Sequence, residues 1–118
     1  MTRNKYGVAA KHQRTVDGIV FDSRAEAFRY AELKFLERAG AITNLRLQVP
    51  FELVPAYTWR GKKVRASTYL ADFVYLTTDG EEVVEDVKGA ITQLYSLKKK
   101  LLLYRNPDLN FRELEARR

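Results

Sequence analysis

The chain has 118 residues, 46% of them hydrophobic, enough for one domain with its own core and too few for two. It contains no cysteine, which excludes disulfides, thiolate zinc sites and a cysteine nucleophile. Lys and Arg number 21 against 15 Asp and Glu, a net charge of +6, and a small basic domain attracts polyanions, of which nucleic acid is the commonest.

Residues 1–14 are polar and basic, with Arg3, Lys5, Lys11 and Arg14, and read as an arm ahead of a single domain over residues 15–118. The arm has no apolar core of the kind a signal peptide needs. No run in the chain approaches the ~20 apolar residues of a membrane span, so a cytoplasmic location is expected. His12, the single histidine, is expected to be exposed. Asp17-Gly18 between Val16 and Ile19 predicts a tight hairpin. Ser23 as N-cap and Glu26 three residues later form a capping box that opens the first helix, and Gly40 ends it. Phe28, Ala31, Phe35 and Ala39 recur at helical spacing as its expected buried face, whereas Glu26 lies near Tyr30 and Leu33 on the wheel.

Every odd position from Leu45 to Leu53 is apolar, the alternation of a strand, and Pro50 marks an edge or a bulge in it. Tyr57 to Ala66 carries Arg60, Lys62, Lys63 and Arg65 around Gly61 and reads as a basic turn. Strands over Thr68–Leu76 and Glu82–Lys88 follow, joined through Asp79-Gly80. A second helix is predicted from Thr92 to Tyr104, with Leu94, Leu97, Leu101 and Tyr104 as its buried stripe, and Asn106-Pro107 stops it. Asn110 to Leu114 forms a short last strand. The order is helix, three strands, helix, strand: a mixed α/β domain, α+β in style, with a central mixed sheet flanked by helices.

Three residues carry chemistry in this frame. Asp72 lies in the middle of a strand and, by alternation, shares a face with Leu70 and Val74. A bare carboxylate among apolar neighbours is costly unless its charge is offset. Asp86 and Lys88, two residues apart, project from one face of the next strand with Val84, and Gly89 lets the chain turn sharply after them. If the two strands bring Asp72 beside Asp86, the carboxylates repel and a hard divalent cation relieves them. Magnesium binds one or two carboxylates, keeps several waters and takes phosphate as a further ligand. With Lys88 to orient a water and balance phosphate charge, these are the parts of metal-assisted phosphodiester hydrolysis. The other reading of a strand Asp-X-Lys is a solvated face with an ion pair.

Asp72 followed after a hairpin by Asp86-Val87-Lys88 resembles the PD-(D/E)XK nuclease signature, and the element order is similar to the αβββαβ, restriction-endonuclease-like core of that superfamily. More closely, the chain resembles a family of small phage and prophage domains of unknown function. The resemblance runs through Phe21-Asp22-Ser23-Arg24-Ala25-Glu26-Ala27, Leu47-Gln48-Val49-Pro50-Phe51, Tyr69-Leu70-Ala71-Asp72-Phe73, Val83-Val84-Glu85-Asp86-Val87-Lys88-Gly89 and Thr92 to Leu101, nearly the whole chain. Ala71 stands where the motif name has Pro, a position that supplies no ligand.

The resemblance implies that Asp72, Asp86 and the Val87 carbonyl hold Mg2+ or Mn2+ and that Lys88 positions the attacking water. It gives Glu26 a catalytic role beside its capping one. It implies a metal-dependent DNA endonuclease of phage DNA metabolism in a bacterial host cytoplasm, selective for duplex, branched or flap structure and resolvase-like, hence a homodimer. A non-catalytic DNA-binding protein with a nuclease-like fold is the alternative, and RNA is an alternative substrate.

Glu85 should face away from Asp86 and pair with a basic neighbour, and Gln48 reads as an exposed strand residue or one on the active side. Gln93 and Tyr95 open the second helix within reach of substrate. Arg60, Lys62, Lys63 and Arg65 in the turn, with Lys98 and Lys99 in Lys98–Lys100, are the expected phosphate contacts. Trp59 either stacks on an unpaired base or packs on its own strands. No base-reading module is visible, which favours recognition of DNA shape.

Overall fold

The computed structural model describes residues 9–116. Arg3 and Lys5 of the basic arm therefore lie outside the described residues. Lys11–Arg14 form one turn of 3-10 helix, with His12 exposed. The Arg14 guanidinium donates to the Ala9 and Phe21 carbonyls at 3.1 and 2.6 Å, so this end of the arm is pinned to the domain.

Asp17 and Gly18 adopt φ of 52° and 75°, the paired left-handed conformation of a type I′ turn, and join β1 (Thr15–Val16) to β2 (Ile19–Val20). Helix α1 (Arg24–Arg38) begins where the Ser23 hydroxyl accepts the Glu26 N–H at 3.1 Å, and Gly40 follows it at φ 80°. Then come β3 (Ile42–Val54), the short pair β4 (Tyr57–Trp59) and β5 (Lys62–Val64), β6 (Ser67–Thr77), β7 (Glu82–Lys88), helix α2 (Gln93–Arg105) and β8 (Asn110–Glu115).

The central sheet has the order β3-β6-β7-β8. Its first three strands are antiparallel neighbours, and β8 returns parallel to β7 after α2, the helical crossover that a parallel pair requires. Pro50 sits in β3, the edge strand, where a missing N–H is tolerated. The β1–β2 and β4–β5 hairpins are separate two-stranded sheets.

Each helix covers one face of the sheet. Tyr30 and Leu33 of α1 pack with Phe21, Phe73, Tyr75 and Val83, while Leu102 of α2 packs with Leu53, Tyr69, Ala71, Val74 and Val84. Both helices are rotated from the expected orientation. In α1 the buried residues are Glu26, Ala27, Tyr30 and Leu33, and Phe28 and Phe35 are 67% and 65% exposed. Contacts outside the helix decide this: the Tyr30 hydroxyl donates to Asp17 at 3.1 Å and its ring lies 5.0 Å from Phe21. In α2 Leu102 is buried and Leu101 half-buried, but Leu94, Leu97 and Tyr104 are exposed. The Arg105 guanidinium donates to the Leu53 carbonyl and so ties the end of α2 to β3.

Candidate active site

The β6–β7 ladder runs from Leu76↔Glu82 to Phe73↔Glu85 and stops one pair short of Asp72 and Asp86. Past that point side chains take up the backbone donors the ladder has released. Asp86 Oδ1 accepts the Asp72 N–H at 3.3 Å, and Asp72 Oδ2 accepts the Val87 N–H at 2.9 Å. On the other flank, the β3–β6 register passes from Leu47↔Phe73 to Val49↔Ala71 and omits Gln48. Gln48 has φ 51°, a left-handed conformation that is costly outside glycine, and its Nε2 lies 3.4 Å from Asp72 Oδ1. Asp72 is therefore held where both of its neighbouring ladders are interrupted.

The alternation of β6 changes phase at the same place. Tyr69, Ala71 and Val74 all pack beneath α2, whereas Phe73 and Tyr75 pack beneath α1. Leu70 and Val74 therefore face opposite sides of the sheet, and the expectation that Asp72 shares a face with both is corrected. The break lets Asp72 meet groups from both sides of the sheet: Asp86 from β7 and Glu26 from the first turn of α1.

Glu26 keeps the capping bond of its N–H to Ser23, and its buried carboxyl lies against Asp72. Only the Ser23 half of the expected capping box is formed, through the Glu26 backbone, and the Glu26 side chain belongs to the carboxyl cluster. Burial, the charge of Asp22 and that of Asp86 push Glu26 up to about 7, against the hydrogen bond with Asp72 and the charge of Lys88. Burial, followed by the hydrogen bond with Asp86 and that residue's charge, pushes Asp72 up to about 8, against the Val87 N–H.

Lys88 lies beside Asp86 as its spacing predicts, with Nζ 3.2 Å from Oδ2. Its ammonium also stands 4.4 Å above the centre of the Tyr95 ring. The Tyr95 hydroxyl donates to Glu113, which also takes Lys99 Nζ at 3.1 Å, so β8 and α2 together fix the ring on which Lys88 rests. The Tyr69 hydroxyl donates to Asp86 Oδ2, and burial and Asp86 raise its pKa, so it remains a donor. Sequence reasoning missed Tyr69, because unbroken alternation places it on the face away from Asp72. It weighed Gln48 but did not assign it to the site.

Among the described residues no group of three or more His, Cys, Asp or Glu stands in metal-ligating arrangement. Two carboxylates suffice for magnesium, and the donor set here is hard oxygen with an excess of negative charge, which fits such a cation. Asp72 and Asp86 are the acidic ligands available, with the Val87 carbonyl at the diverging end of β7.

On the opposite face of β7, buried Glu85 accepts from Arg29 Nε at 2.8 Å and Nη2 at 2.7 Å, and from the Tyr75 hydroxyl. This is the ion pair expected of it. Arg60, Lys62, Lys63 and Arg65 are exposed on and beside the β4–β5 hairpin. Gln93 is exposed at the start of α2, Lys98 is half-buried, and Lys99 is engaged with Glu113 and lies 5.7 Å over the Phe111 ring. No helix among the described residues is long and apolar enough to cross a membrane.

A family model described as "Protein of unknown function (DUF1064)" matches residues 3–117. No match is found among the curated proteins.

Proposed function

The chain belongs to the DUF1064 family, and from that premise we propose that it is a metal-dependent DNA endonuclease of the PD-(D/E)XK superfamily. The observation that carries the reading is the buried meeting of Asp72, Asp86 and Glu26 beside Lys88, at the point where β6 and β7 part. Buried like charges of this kind are unfavourable in a structural role and useful in a catalytic one.

Asp72, Asp86 and the Val87 carbonyl are the residues that would hold Mg2+ or Mn2+. Such an ion supplies Lewis acidity towards a phosphate and acidifies a bound water. Tyr69 and the Asp72 N–H fix the Asp86 carboxylate, and Gln48 and the Val87 N–H fix Asp72. Lys88 orients the attacking water and stabilises charge that grows on the phosphate oxygens. Glu26, raised to about 7, is suited to take a proton from that water near neutral pH. Arg60, Lys62, Lys63, Arg65, Lys98 and Gln93 contact the DNA backbone, while Lys99 and Tyr95 act chiefly by supporting Lys88. The substrate is duplex, branched or flap DNA, met in phage DNA metabolism in a bacterial cytoplasm, and the paired cuts of a resolvase-like enzyme would need a homodimer.

A panel of single-stranded, duplex, flap and four-way-junction DNA, incubated with magnesium, manganese or EDTA, tests the reading. Cleavage with metal, lost in EDTA and in Asp72→Asn, is the expected result. Binding without cleavage of any member replaces the enzyme with a DNA-binding protein.

A further inference from the structure

The β4–β5 hairpin is unexplained by packing. It forms its own two-stranded sheet, and all of its residues are exposed except half-buried Val64. The pairs Tyr57↔Val64, Thr58↔Lys63 and Trp59↔Lys62 close on Arg60-Gly61, whose φ values of 48° and 78° make a type I′ turn matched to strand twist. The ribbon therefore has a defined shape without a core beneath it.

Tyr57 and Trp59 are two residues apart on one strand, so they share a face, and both are more than half exposed. Lys62 stands opposite Trp59, and the Arg60 guanidinium lies 4.9 Å from the centre of the indole. Lys62 shares the ring face and Arg60 borders the indole, while Lys63, opposite Thr58, projects from the other face of the ribbon and Arg65 follows it in sequence, exposed. Flat apolar faces set among cations fit a ligand that itself alternates flat rings with anions, which is a nucleic-acid strand.

Spacing selects the state of that strand. Residues two apart on a strand are separated by roughly 7 Å. That is about twice the ~3.4 Å rise between neighbouring bases of one strand in a duplex. Neighbouring duplex bases cannot seat on both rings, whereas bases of an unpaired strand can. We propose that the β4–β5 hairpin is a binding site for an unpaired DNA strand, with Trp59 and Tyr57 as stacking platforms and Arg60 and Lys62, beside the rings, as phosphate contacts. The proposal concerns binding and is tested in EDTA, so it stands or falls separately from cleavage.

Trp59 is the sole tryptophan, and its emission therefore reports on the hairpin directly. The protein is titrated in EDTA with a short oligothymidylate, with a blunt duplex carrying the same number of phosphates, and with heparin. Quenching by the single strand alone is expected. Labelled-oligonucleotide binding should show Trp59→Ala weakening single-strand affinity about tenfold, with duplex affinity unchanged, and Trp59→Phe retaining most of it. Equal quenching by duplex or heparin reduces the hairpin to a polyanion surface and overturns the proposal. So does unchanged single-strand affinity in Trp59→Ala.

Discussion

Two ion pairs occupy opposite faces of β7, one residue apart in their acids and nearly identical in burial. Arg29–Glu85 has side-chain exposures of 23% and 0%, and Lys88–Asp86 has 28% and 1%. Burial does not separate them; stoichiometry of charge does. Glu85 has a two-bond guanidinium and a tyrosine hydroxyl to itself. Asp86 also accepts a tyrosine hydroxyl, but among the described residues it has a single ammonium contact with Asp72 and Glu26 nearby, three carboxyls to one cation. One face is electrically closed and the other is left open to a positive ligand. A buried carboxylate thus becomes informative about function only when its neighbours are counted.

That contrast can be broken most forcefully at Arg29. Arg29→Ala strands Glu85 in the core and should cost about 3–5 kcal/mol of stability in urea unfolding. A loss below about 1 kcal/mol, typical of an exposed pair, makes the closed face ordinary surface. At Lys88 the expected damage is to rate. Lys88→Ala should slow single-turnover cleavage about a hundredfold, on the scale of a positioned catalytic group. Its unfolding midpoint in magnesium should move less than that of Arg29→Ala, and its DNA affinity in calcium should hardly change. A rate close to wild type would make the two pairs equivalent. A third test lies in pH dependence. Glu26 and Asp72 have ordinary values of 4.5 and 3.8 and lie at about 7 and about 8 in the fold. The folded state therefore binds their protons more tightly, and the metal-free protein loses stability as pH rises from the ordinary carboxylate range through those folded values. In EDTA the melting temperature should fall between about pH 5 and pH 8, and Asp72→Asn should flatten the fall. Identical slopes would remove the repulsion on which the open face rests.

The sequence made local features legible. Asp17-Gly18 and Asp79-Gly80 are turns because their backbone demands are local, and Asp86 and Lys88 meet because two residues of a regular strand share a face. Asp72 and Glu26 were recognisable as candidate site residues, although how they meet was not. Each helix carries more than one apolar stripe, and the choice between Phe28–Phe35 and Tyr30–Leu33 was made by Asp17 and Phe21, outside the helix. Tyr69 was hidden because its reach to Asp86 depends on a phase change in β6, opposite the left-handed Gln48. Alternation assumes an unbroken strand, and the candidate site lies where the strand breaks.

The parallel pairing of β8 with β7 also orders events in time. With the β6 ladder ended at Glu85, Asp86 and Lys88 find their strand partners in Glu113 and Glu115. A domain folds as a unit, and β8 is synthesised after every other strand of the sheet. The strand that carries Asp86 and Lys88 is therefore braced on both sides only once residues through Glu115 have left the ribosome.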